Sequence, residues 1–112
     1  MPSTQQQRVK EIEKTYLDVM RNYRKDMADT RSEDEVKFVE ENWNKAEGVY
    51  LDAINEELSK TANAAETAYE ALKTANDAVK QARRNSQTLA ERADALAEAT
   101  QKAATLLQKA KA

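Results

Sequence analysis

Neither histidine nor cysteine occurs in the chain, and glycine (Gly48) and proline (Pro2) occur once each. Without histidine, the commonest general base, metal ligand and pH switch is missing. Without cysteine there is no thiolate nucleophile, no disulfide framework and no thiolate metal site, and the redox compartment is left open. A single glycine excludes a Gly-rich phosphate loop. Long apolar runs are absent too: no window approaches the roughly 20 apolar residues of a membrane span, and MPSTQQQRVKEIEK lacks the apolar centre of a secretory signal. The expectation is a soluble cytoplasmic protein, although a signal-less export route would leave the same sequence.

What is present is helix-forming. Ala, Glu, Lys, Gln and Leu dominate a chain of 112 residues, which predicts one all-α domain with a small or shared core. Net charge is −2, unevenly spread: residues 1–31 carry +2, residues 32–58 carry −7 and residues 59–112 carry +3. An acidic segment therefore lies between two mildly basic ones, an arrangement that favours antiparallel neighbours within a chain or between chains.

Val9, Ile12, Tyr16, Val19, Met20, Tyr23 and Met27 recur at three-four spacing and predict a first helix over residues 5–29, opened by a Thr4–Gln7 capping box. Ser32 and Glu35 repeat that spacing and start a second helix, whose stripe runs through Val36, Val39, Trp43, Ala46, Tyr50, Ala53 or Ile54, and Leu58. Gly48 lies off this stripe and is expected inside the helix, at a cost of about 1 kcal/mol. From Leu58 onward two heptad positions hold one phase: Leu58, Ala65, Leu72, Val79, Ser86, Ala93, Thr100 and Leu107, and Thr61, Ala68, Ala75, Ala82, Leu89, Leu96, Ala103 and Ala110. A seven-residue repeat held this long predicts helices supercoiled around one another.

Two helix breaks are conceivable, at residues 59–63 and 85–88, where Asn63 precedes Glu66 and Thr88 precedes Glu91 at capping distance. Both together would give a four-helix up-down bundle. The undisturbed phase through positions 82, 86, 89 and 93 favours continuity at 85–88, while 59–63 is evenly balanced. The favoured architecture is therefore an N-terminal helical hairpin, residues 1–58, continued by a long Ala-rich heptad helix, residues 59–112, within a single domain. A first helix of ~25 residues spans ~37 Å and an unbroken run over residues 33–110 would span ~115 Å, so the stripe would need cover from its own second half or from another chain.

Several chemistries are weighed and set aside. Asp26, Asp29, Glu33, Asp34 and Glu35 cluster, but without the spacing and central glycine of a calcium loop they predict a capped, solvated turn. Tyr16, Tyr23, Trp43, Tyr50 and Tyr69, with Phe38, are expected at the junction of the first two helices, more as core than as a ligand pocket, and Phe38, off the stripe, is the large apolar residue most available to a partner. Lys80, Arg83, Arg84 and Arg92 are expected to be a solvated coiled-coil flank, not a nucleic-acid surface. In its Ala, Gln and Thr content the C-terminal half resembles the phasins that coat polyester granules, a compositional likeness over about half the chain that would imply an amphipathic coat. Trp43 and Gly48 stand inside one helix pattern, so the hairpin-turn signature of the WxG proteins is absent.

The expected function is a non-enzymatic interaction or scaffold protein, without cofactor or metal, whose partner is itself or another helical protein. Tyr16, Tyr23, Phe38, Trp43 and Tyr50 would anchor the hairpin. Leu72, Ala75, Val79, Ala82, Leu89, Leu96 and Leu107 would form the heptad seam. The alternatives are a coat or adaptor on a granule or membrane surface, and a monomeric four-helix bundle binding a small ligand near its tyrosines.

Overall fold

In the computed structural model, which describes residues 2–112, five helices follow one another: α1 (Gln5–Arg21), α2 (Tyr23–Ala28), α3 (Glu33–Asn55), α4 (Asn63–Asn85) and α5 (Leu89–Ala110). The Thr4–Gln7 capping box is in place: the Thr4 hydroxyl accepts the Gln7 N–H at 3.1 Å and the Gln7 side-chain carbonyl accepts the Thr4 N–H at 2.9 Å. The helix expected to reach residue 29 is interrupted at Asn22, whose side-chain amide donates to the Asp18 carbonyl at 2.8 Å. Such a local bond competes with the helical ladder, and the segment resumes as the short α2. At the start of α3, Ser32 caps the Glu35 N–H as expected. The Glu35 carboxylate reaches past Ser32 to the Arg31 N–H, so only half of that capping box forms.

The long heptad helix does not form. α3 stops at Asn55, residues 56–62 run non-helical, and α4 stops at Asn85. Glu91 explains the second break: its carboxylate accepts the N–H groups of Gln87 and Thr88 and the Thr88 hydroxyl, each at 3.1 Å, which fixes the turn and starts α5. The heptad phase survives the turn for a different reason from continuity. A link as short as residues 86–88 folds α5 back along α4, and both arms must then show the same stripe to the same core.

The four-helix alternative is the architecture. α1 and α2 pair antiparallel with α3, and α4 pairs antiparallel with α5, the heaviest helix contact in the molecule. The two hairpins stack so that α1 runs parallel to α4, as Ser3–Glu66 at one end and Asp18–Arg83 at the other show, while α3 runs parallel to α5. α3 and α4, consecutive in the chain, lie across the diagonal of the bundle, which measures 43 × 24 × 18 Å.

The core divides in two along the axis. Ile12, Val49, Ala53, Leu58, Ala65, Leu72, Ala103, Leu106 and Leu107 fill one half, and Val39, Ala75, Val79, Leu89, Leu96 and Ala99 fill the other. Every residue of the expected seam is buried here except Ala82, which is half-buried. The stripe thus packs against the chain's own α1 and α3, and alanines at 65, 68, 75, 99, 103 and 110 bring α4 and α5 close together. The few large residues carry the energy: Leu72 and Leu106, both 0% exposed, are each worth about 1.5–3 kcal/mol of burial.

Candidate functional site

The junction of α1 and α2 with α3 gathers Tyr16, Tyr23, Trp43 and Tyr50, whereas Tyr69, expected there too, is buried on α4. Tyr16 and Tyr50 stack with centroids 5.3 Å apart and planes 9° apart, and Tyr23 meets Trp43 edge-on at 4.3 Å. Their hydroxyls point to acids across the junction: Tyr16 donates to Glu47 at 3.2 Å and Tyr50 to Glu13 at 2.9 Å. The bond to Glu13, reinforced by burial, holds the Tyr50 phenol above its usual pKa. All four rings are only half-buried. The exposed large apolar side chains also belong to these helices: Met20 on α1, with Leu51 (48% exposed) and Ile54 (51%) one turn apart on α3, where Ile54 borders a shallow groove with Val9 and Lys10. Phe38, expected to be free for a partner, instead packs half-buried against the Val39–Leu89 half of the core.

The basic residues read as a solvated flank are partly interior. Arg92 is 1% exposed, donating to Asp26 at 3.0 Å and Asp29 at 2.6 Å and to the Thr88 carbonyl, and Arg83 bridges Asp18 and Asp26 at 2.8 Å each. Only Lys80 and Arg84 remain exposed. The acidic stretch expected to be a solvated turn therefore supplies Asp26 and Asp29 as interior counter-ions. Burial lowers the Arg83 pKa, but the bonds to Asp26 and Asp18 outweigh it and leave the value raised. Arg92 likewise holds the Asp29 carboxyl below its usual range, helped by Lys25.

A second arginine clasp lies at the opposite end. Arg8, 2% exposed, donates to the carbonyls of Leu58 (2.8 Å) and Lys60 (2.7 Å), to the Ser3 hydroxyl and to Glu66. It satisfies the orphan carbonyls of the α3–α4 crossover, which have no helical partner. Burial pushes the Glu66 carboxyl up, but the bonds from Ser3 and Arg8 outweigh it and the net shift is downward. These clasps are structural, and sequence reasoning missed both.

Between α1 and α4, above α5, a cleft of about 320 Å³ opens. Leu17, Val19, Val79, Leu96 and Ala99 make its apolar part. Glu11, Thr15 and Asn76 line it as well, all at least nine-tenths buried: Asn76 donates to the Glu11 carboxylate at 2.9 Å and to the Glu11 carbonyl at 3.1 Å, and the Thr15 hydroxyl donates to the Asn76 side-chain carbonyl at 2.8 Å. The cleft holds none of the tyrosines.

Among the described residues, no group of three or more His, Cys, Asp or Glu is placed to hold a metal ion, and no helix is long and apolar enough to cross a membrane. Comparison with protein-family models, with curated proteins and with solved structures finds no match to this chain.

Proposed function

We propose that the protein is a non-enzymatic, cytoplasmic interaction protein that works as a self-contained bundle, binding a second copy of itself through the α1–α3 face. The observation that supports this reading is the distribution of apolar surface. The exposed large aliphatic side chains and the half-buried tyrosines and tryptophan sit on α1, α2 and α3, whereas the outer surfaces of α4 and α5 are polar or alanine. Tyr, Trp and Met flanked by charge are the residue types that anchor protein interfaces.

Charge argues for the identity of the occupant. The exposed charges of α1 and α2 are mostly basic (Lys10, Lys14, Arg21, Arg24), and those of α3 mostly acidic (Glu40, Glu41, Asp52). A two-fold axis parallel to the helices would lay α1 of one copy antiparallel over α3 of the other, basic over acidic on both sides of the axis. The heptad seam is taken up inside the chain, so self-association on this reading does not use it.

Gel filtration with light scattering over a concentration series tests the proposal. A monomer–dimer equilibrium is expected, and Leu51→Glu with Ile54→Glu should abolish it without loss of helicity, since both side chains are exposed. A chain that stays monomeric at high micromolar concentration, or a dimer indifferent to both substitutions, would sink it.

A further inference from the structure

The α1–α4 cleft is built differently from a packing fault. It combines an apolar bed with a buried carboxylate, and the two occupy successive turns of α1: Glu11 and Thr15 come first, Val19 follows about 12 Å along the axis. Its volume, about 320 Å³, stands at the small end of ligand pockets, which pair an apolar lining with a few converging polar groups.

The polar end is rich in acceptors. Glu11 is 6% exposed, and among the described residues its only ion pair is with Lys14, at 3.3 Å and largely in solvent. The remaining bonds to its carboxylate come from the neutral Asn76 amide. The Asn76 carbonyl and the Thr15 hydroxyl oxygen face each other beside it. A carboxylate removed from water is costly unless a cation compensates it, and a mobile surface lysine does this poorly. Asp18, also at the cleft, is already taken by Arg83, and Asp77, Arg21 and Lys80 at its rim are exposed, so Glu11 is the buried acid of the cleft and is met only by a surface lysine.

We infer that the cleft binds a small amphiphilic primary amine. Its ammonium, with three donors, replaces Lys14 at Glu11 and reaches the Thr15 and Asn76 oxygens. Its hydrocarbon lies along Val19, Val79, Leu96 and Ala99. The proposal is independent of the α1–α3 face, because it rests on a different pair of helices and on one buried acid.

The test is titration of the full chain with hexylammonium, hexanoate and 1-hexanol, followed by amide NMR shifts. Hexylammonium should give saturable shifts concentrated at Thr15, Val19, Asn76 and Ala99, and bind at least tenfold more tightly than the other two. Glu11→Gln keeps the size and, through its one oxygen, the bond from Asn76 while removing the charge, and should cost hexylammonium tenfold or more with hexanol unaffected. Ala99→Phe should fill the bed and abolish binding; circular dichroism checks its fold, and Glu11→Gln decides the matter where that variant does not fold. Linear, scattered shifts, equal affinity for hexanoate, or an unchanged amine affinity in Glu11→Gln would each overturn the inference.

Discussion

Three arginines are drawn into the interior of this fold. Arg8 and Arg92 are almost completely buried and Arg83 is 15% exposed, and each is met by carboxylates or main-chain carbonyls. Asp26, 2% exposed, is shared by Arg83 and Arg92, so its removal leaves two interior cations short of a partner. Asp26→Ala should therefore destabilise by about 3–5 kcal/mol. Chemical denaturation measures this, and a loss under about 1 kcal/mol would mean that Asp18 and Asp29 suffice. The sequence did not reveal these clasps, because a flank position beside an apolar stripe looks the same whether its cation is solvated or interior. One signal was available: the interior cations are all arginine, while most of the lysines are exposed. The planar five-donor guanidinium is the cation better suited to interior pairing.

Helix starts were more legible than helix ends. Thr4 and Ser32 each begin a helix because their hydroxyls accept an orphan N–H, and at Thr88 the Glu91 carboxylate accepts the N–H; such signals are local, although α4 starts after Ala62 without the cap expected at Asn63. The ends lack a local signal, since no glycine terminates any helix and Gly48 has no positive φ. Beyond the stop at Asn55, the carbonyls of Leu58 and Lys60 are bound by Arg8, 50 and 52 positions earlier in the chain. The heptad pattern identified most of the buried residues of α4 and α5, though not Ala99 or Leu106, and misled about what buries them, because periodicity reports a face and says nothing of the occupant across it. Gly48 is a spare cost in α3. A Cβ there meets no atom within 4 Å, so Gly48→Ala should raise stability by about 0.5–1 kcal/mol, readable as a higher denaturation midpoint. No gain would mean the helix frays at that turn.

For the whole molecule, acid is the expected weakness. Asp29, held down first by Arg92, Glu66, whose burial is outweighed by Ser3 and Arg8, and Glu91, held down first by the Gln87 N–H, all release protons more readily folded than unfolded. Their stabilisation is complete above the ordinary carboxylate range and fades as pH falls through the lowered values, below about pH 4. Tyr50 works in the opposite sense: raised by its bond to Glu13, it stabilises below the ordinary phenol range and loses that contribution above about pH 10. Melting temperatures from pH 2 to 11 should form a plateau that falls at both margins. A midpoint unchanged down to pH 2 would show that the carboxylate bonds contribute nothing.

The crossover at residues 56–62 is the only covalent joint between two hairpins that each leave half of both apolar layers bare. Its path is fixed by the Arg8 guanidinium, by main-chain bonds from Lys60 to the Ala110 carbonyl and from Ala112 to the Glu57 carbonyl, and by the buried Leu58. Released from that clasp, the joint could straighten and let the first hairpin of one molecule dock on the second hairpin of its neighbour, giving an interchanged dimer with an unaltered interior. Arg8→Ala should favour such exchange, visible as a slowly reverting dimer after refolding at high concentration. A normal monomer after refolding of Arg8→Ala would mean that the main-chain bonds to Ala110 and Ala112 and the buried Leu58 hold the joint without the guanidinium.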